Sequence, residues 1–154
     1  WQTSDPEIEY RKSISSWIDH ERLNNKMPEP LKIDVKDTPW QIPSNVLNSL
    51  QGIISINMIH IAPWQCTESL FKESSKILKV RRFLLLYGPF KIKNKHTSES
   101  NELFDKSLKN QNNDWGVRNL ENVNEEAMIN GFKQKQIIEM PSNNLILIYR
   151  KVSL

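Results

Sequence analysis

Hydrophobic and polar positions along the chain fall into blocks with two different periods. Around "SDPEIEYRKSISSWIDHERL", Ile14, Trp17 and Ile18 repeat at i, i+3 and i+4, which predicts a helix with one buried stripe. Asp5 is placed to cap that helix and Pro6 to open it. "LKIDV" (31–35) alternates and predicts a short strand. "GIISINMIHIAPW" (52–64) begins as an apolar strand, places Asn57 and His60 among Met58, Ile59 and Ile61, and stops at Pro63-Trp64. Residues 64–79 carry Leu70, Phe71, Ser74, Ile77 and Leu78 on one helical face. "RFLLLYGPF" (82–90) is a continuous apolar run, the mark of a strand covered on both faces. "KIKNKHTSES" reads as a polar loop, with Thr97 or Ser98 capping a helix over "ESNELFDKSLKNQ". A further helix is expected from about Asn122, where Glu125 three residues on completes a capping box. "FKQKQIIEM" and "LILIYRKV", four residues apart, predict an antiparallel hairpin.

Strands that alternate with helices predict an α/β sheet, mostly parallel, with the antiparallel pair at one edge. Residues 1–154 read as a single domain. "WQTSDPE" reads as the end of a strand running into a helix, so the chain is expected to begin partway through a fold.

Ligands of open α/β sheets bind outside the carboxyl ends of the strands. Four successive predicted strands end in Ser4-Asp5, in Asp34-Val35, in Asn57 to His60, and in Tyr87-Gly88-Pro89. This row of polar and backbone-shaping residues resembles a nucleotide-type crevice. Each also has a plainer reading: Asp5 as a cap, Asp34 as a turn residue, His60 as a packed core imidazole, Gly88 as a turn.

Composition narrows the classes. The chain is 38% hydrophobic and 25% charged, an ordinary globular balance, with net charge +3. The dense basic runs, "KVRR" (79–82) and "KIKNK" (91–95), have no interleaved aromatics, which argues against a nucleic-acid partner. A lone cysteine, Cys66, suits a reducing compartment, hence the cytoplasm. No apolar run approaches the roughly 18–20 residues of a membrane span. Three histidines and one cysteine lack metal-ligand spacing, and no nucleophile elbow or phosphate-loop lysine is present.

Six motifs in order, "SDP", "INMIHIAPW", "LLLYGPF", "HTSESNELFD", "DWGVRNLENV" and "MPSNNLILIYR", resemble a family over nearly the whole chain. It is the small class I S-adenosylmethionine-dependent methyltransferase-like family, which includes methyltransferase-like 26 and bacterial members catalogued as a domain of unknown function. The resemblance implies a Rossmann-like sheet whose last strand is antiparallel. The first strand and its glycine-rich loop would then be missing from this chain. It further implies S-adenosyl-L-methionine as cofactor. Asp5 would hold the ribose, Asp34 and Val35 would lie near adenine, and Asn57 and Met58 would flank the methionine moiety. His60, Asn57 and Tyr87 are then the catalytic candidates, with His60 as base. Ser98, Asn101 and Asn144 become substrate-pocket candidates for a small-molecule acceptor. Two departures stand out. "KVRR" replaces a Pro-Gly-Gly turn, and Asn119 stands where an Asp is usual. A non-catalytic binding module of the same fold is the alternative function, with a nicotinamide oxidoreductase as a third.

Overall fold

The computed structural model describes residues 1–152. The chain divides into two compact units, Trp1–Ser49 and Leu50–Leu154, each described here by itself.

In the first unit, α1 spans Ile8–His20 and α2 Ser44–Ser49. Helix α1 begins later than the cap signal suggests, because Asp5 Oδ1 accepts the Glu7 N–H at 2.8 Å and closes a turn before the helix. Of the predicted stripe, Ile18 is buried but Trp17 is 63% exposed, its ring edge-on to His20. The two expected strands, "WQTS" and "LKIDV", meet only in an isolated parallel bridge between Ser4 and Leu31. Leu31 N–H donates to the Thr3 carbonyl at 2.9 Å, and Asp5 N–H to the Leu31 carbonyl at 3.1 Å. The groups that would continue the ladder are taken: the Asp5 carbonyl accepts Arg11 Nη1 at 2.9 Å, and the Glu7 N–H donates to Asp5 Oδ1.

The second unit is built on a four-stranded sheet. Its strands are β1 (Gly52–Ile56), β2 (Phe83–Gly88), β6 (Phe132–Met140) and β7 (Asn144–Lys151), in the order β1-β2-β7-β6. The β1–β2 pair is parallel; β2–β7 and β7–β6 are antiparallel. The sheet is mixed, with the expected antiparallel hairpin at one edge and a parallel pair at the other. The predicted hairpin is present, with an irregularity between Gln134 and Gln136. Lys133, Lys135 and Glu139 are exposed on β6, an edge strand protected by charge. The segment read as a polar loop forms a small second sheet. In it β3 (Phe90–Ile92) lies between β4 (Lys95–His96) and β5 (Arg118–Asn119).

Three helices complete the unit: α3 (Trp64–Ile77), α4 (Glu99–Gln111) and α5 (Leu120–Ile129). Helix α5 starts at Leu120, so the expected Asn122 capping box falls inside its first turn. Leu84, Leu86, Leu147 and Tyr149 alternate along β2 and β7 onto one buried sheet face. Phe71 of α3, with no exposed surface, meets Phe132 and Tyr149 edge-on at 5.8 and 5.4 Å. Buried aromatic area and edge-to-face geometry both favour this cluster. The opposite face, with Phe83, Leu85 and Tyr87, is half-buried, so β2 is sealed on one face only.

Phe71→Ala should cost about 3–5 kcal/mol of unfolding free energy, the range for deleting a fully buried aromatic ring. Urea denaturation of the two proteins measures it; a loss under about 1 kcal/mol would mean the cluster is not the centre of the core.

Candidate functional site

Strands β1 and β2 run parallel with Ile56 opposite Tyr87, so both end at one rim. The chain leaves β1 through Asn57, whose backbone is left-handed (φ 56°, ψ −10°). Asn is among the few residues that adopt this conformation readily. Asn57 N–H donates to the Tyr87 carbonyl at 2.8 Å and ties the two strand ends together. A single 3-10 turn, Met58–His60, follows. The strand does not run on through His60, as the sequence suggested. The turn leaves Asn57 exposed and Met58 half-buried, and carries Ile59 and His60 inward.

Gly88 makes this turn possible. A Cβ at Gly88 would lie 2.5 Å from His60 Nε2 and 2.9 Å from Asn57 Oδ1. Only a residue without a side chain admits both groups. The His60 ring has no exposed surface and stands edge-on to Phe90, centroids 5.1 Å apart. Neither ring nitrogen makes a hydrogen bond of good geometry among the described residues, and the Gly116 backbone close by only partly offsets the burial. Burial, reinforced by the Arg118 guanidinium, lowers the His60 pKa to about 4, so the imidazole is neutral at physiological pH.

A second polar set adjoins Tyr87. Asn144 Nδ2 donates to Tyr87 Oη at 3.0 Å. Ser98 caps α4 by accepting the Asn101 N–H at 3.2 Å. Asn101, buried, donates from Nδ2 to Thr97 Oγ1 (3.0 Å) and to the Asn143 carbonyl (3.1 Å). Ser142 and Asn143 are both left-handed, with φ near 60°. Asn101 thus holds a strained two-residue turn one position before Asn144. The structure brings Asn57, His60, Tyr87, Ser98, Asn101 and Asn144 into a chain of contacts around one end of β2. It also assigns Ser98 to capping and Asn101 to a buried structural bridge.

Two residues that sequence reasoning did not single out support this rim. Arg118 donates from Nε to the Ile59 carbonyl (2.8 Å) and from Nη2 to the Ala62 and Asp114 carbonyls, the latter at 2.8 Å. Its guanidinium sits 5.9 Å over the Trp64 ring. Asp105, 3% exposed, accepts the Val117 N–H (2.8 Å) and Lys109 Nζ (2.8 Å), with His96 at 3.3 Å and Lys91 at 3.9 Å. Burial by itself raises the Asp105 pKa, but Lys109, the Val117 N–H and Lys91 together hold it below the usual carboxylate value. Gly116 N–H donates to the His60 carbonyl at 2.9 Å, and a Cβ at Gly116 would meet Asp105 Oδ1 at 2.6 Å. Asp105 was legible in principle: Asn101, Asp105 and Leu108 repeat at i, i+4, i+7 on the buried side of α4. Nothing local marks Arg118.

Asp5, Asp34 and Val35 belong to the first unit. Asp5 and Asp34 both follow the parallel Ser4–Leu31 bridge and are half-buried. Asp34 Oδ1 accepts the Lys36 N–H at 3.0 Å, and Oδ2 lies 3.7 Å from Lys36 Nζ. The Val35 carbonyl accepts Trp40 Nε1 at 3.2 Å. Asn119, at the position where a carboxylate was expected, accepts the Asn94 N–H at 3.0 Å and pins the β3–β4 turn. Shallow hollows along α1, one of them lined by Ser13, Ser16, Trp17 and His20, include none of the predicted site residues. Among the described residues no His, Cys, Asp and Glu group has metal-site geometry. No helix there is long and apolar enough to cross a membrane.

Because the folded pKa of His60 lies below its ordinary 6.5, the unfolded chain binds the extra proton between pH 6.5 and 4. Stability contributed by neutral, buried His60 is present above pH 6.5 and falls by about 3 kcal/mol as pH drops to 4. Urea titrations should show this loss in the native chain and its removal in His60→Leu; identical pH slopes would refute it. Gly88→Ala should destabilise by about 1–3 kcal/mol, since the new methyl overlaps two side chains. An unchanged denaturation midpoint would show that His60 and Asn57 can retreat.

The fold resembles solved methyltransferases. An O-methyltransferase family protein from Burkholderia thailandensis matches with TM-score 0.75 and 11% identity, over 99% of this chain and 43% of that one. An O-methyltransferase family 2 protein from Planctomyces limnophilus, in complex with apigenin, matches with TM-score 0.76 and 15% identity, over 92% and 39%. Human N-acetylserotonin methyltransferase, in complex with SAM, matches with TM-score 0.69 and 12% identity, over 84% and 35%. This chain spans about two fifths of the length of such structures. Identities this low carry the fold alone, and the fold is that of a methyltransferase. In sequence, the model of a family described as proteins of unknown function (DUF938) matches residues 1–151. The chain belongs to the DUF938 family.

Proposed function

We propose that this chain is part of an S-adenosylmethionine-dependent methyltransferase that acts on a small-molecule acceptor, in the cytoplasm. The observation that carries the reading is the end of the parallel β1–β2 pair. There Asn57, Tyr87 and Gly88 gather beside Asn144, at the strand ends where open α/β sheets bind ligands. The methyltransferase fold of the matched structures supports it, two of which were solved in complex with SAM and with apigenin. Kinship with methyltransferase-like 26 is part of the same proposal.

Each unit, taken by itself, carries residues of a chemistry suited to part of the cofactor. Asp5 is a half-buried carboxylate with Oδ1 on the Glu7 N–H, and a carboxylate at a strand end suits ribose hydroxyls. Asp34 and the apolar Val35 would flank adenine, and Asn57 and Met58 the methionine part. When bound, the cofactor would supply an activated methyl group. The chain itself supplies alignment: a rigid strand pair, a left-handed Asn57 and a fixed Tyr87. In this reading the acceptor is bound near Tyr87, with Asn57 orienting it and Ser98, Asn101 and Asn144 shaping the surround. His60 was the residue chosen from sequence as the base. Its sealed, neutral imidazole instead favours a positioning role, in which its bulk sets the Asn57–Gly88 corner. The same sealing is the observation that favours the second reading, a methyltransferase-fold module that binds without chemistry.

Calorimetry of the full-length protein with S-adenosylhomocysteine tests the first reading. Binding is expected, weakened about tenfold or more in Asp5→Ala. No detectable binding would leave the non-catalytic module. Once an acceptor is known, full turnover by His60→Ala would end the base assignment.

A further inference from the structure

The polar rim at the end of β2 has a direction and a charge that together define what it recognises. Strand β2 puts Leu84 and Leu86 on the sealed face of the sheet, so Tyr87 stands on the opposite face with Leu85. Register places Ile56, 63% exposed, directly across from it. The Tyr87 hydroxyl is already an acceptor, because Asn144 Nδ2 donates to it. Its own proton is thereby left to point away from Asn144. Asn144 is fixed in turn by the neighbouring Asn101–Asn143 bond and by the β7 ladder, which begins at Asn144 itself.

The surroundings carry almost no charge. The segments that meet here are residues 56–60, 87–90, 97–101 and 141–144. Within them Glu99 is the one formally charged residue; it is exposed and negative. His60 is neutral, Arg118 is spent on three carbonyls, and Lys91, His96 and Lys109 are drawn to Asp105. Among the described residues of these four segments there is no Lys or Arg to offset the desolvation of a bound anion, a cost of several kcal/mol for an unpaired charge.

Resting on the methyltransferase reading, we infer that Tyr87 is the acceptor-recognising residue. Its hydroxyl donates to an uncharged oxygen, a hydroxyl or carbonyl, on a small and largely apolar molecule whose body lies against Ile56 and Leu85. Carboxylates and phosphates are excluded. Asn144 and Asn101 are positioning residues that aim the hydroxyl.

Two probes of near-equal size separate the charge states: para-hydroxyacetophenone, which is neutral, and para-hydroxybenzoate, which is anionic. NMR titration of the full-length protein should give the neutral probe about tenfold tighter binding. Tyr87→Phe, which keeps the ring and removes the donor, should weaken the neutral probe about tenfold and leave the anionic one unchanged. The inference is overturned if the carboxylate binds as tightly, if Tyr87→Phe leaves the neutral probe unmoved, or if neither probe binds at millimolar concentration. S-adenosylhomocysteine calorimetry on the same sample keeps the two ideas apart. Cofactor binding without neutral-probe binding sinks this inference alone. Tyr87-dependent probe binding without cofactor binding sinks the methyltransferase reading and leaves a neutral-oxygen binding site.

Discussion

The second unit turns on a missing methyl group. Gly88 ends β2 with His60 Nε2 and Asn57 Oδ1 so close that any Cβ would collide with both. That contact lets the chain turn sharply after β1, bury an imidazole against Phe90 and still leave Asn57 at the rim. A core imidazole without hydrogen bonds of good geometry is costly to bury in charged form, so the packing keeps it neutral. The geometry of the rim and the protonation state of its nearest titratable group therefore come from one close approach.

Around that contact lies a polar framework whose members serve backbone groups more than they serve each other. Arg118 collects carbonyls from the segment after β1, and Asp105 collects an N–H from the segment before β5. Gly116 links the two through the His60 carbonyl. Irregular backbone near a core leaves polar groups that no sheet or helix ladder satisfies, and buried side chains must do so. Asp105 in "HTSESNELFD" and Arg118 in "DWGVRNLENV", which the sequence does not single out, are here the support of the site. What remains at the surface is short, mostly neutral and amide-rich: Asn57, Tyr87 and Asn144.

Much of the architecture was legible because it follows from period. The hairpin of β6 and β7, the buried face of α3 and the Ser98 cap all rest on local alternation, spacing or capping chemistry. The misreadings share a different cause. "LKIDV" alternates like a strand, yet the Asp5 carbonyl and Glu7 N–H that would extend its pairing are bonded to Arg11 and to the Asp5 side chain, which leaves one bridge. Asn122 and Glu125 have capping-box spacing, but the β5 strand delivers the chain into α5 already at Leu120. "KIKNK" looks like solvated loop, but β5 offers it an edge from far along the chain. In each case the deciding partner was distant or the local signal was overruled by a neighbour's backbone.

The sequence by itself determined the α/β character, the strand ends where polar residues collect, and the identities Asn57, His60 and Tyr87 at two of them. These are consequences of side-chain period and type, which need no partner to be read. Only the tertiary structure decided that His60 faces inward and neutral while Asn57 faces out. It also decided that Asn101 braces the turn before Asn144, and that Asn144 orients the Tyr87 hydroxyl. Those outcomes depend on which groups arrive within about 3 Å of one another from positions tens of residues apart, and hydrogen bonding and desolvation act only at that range.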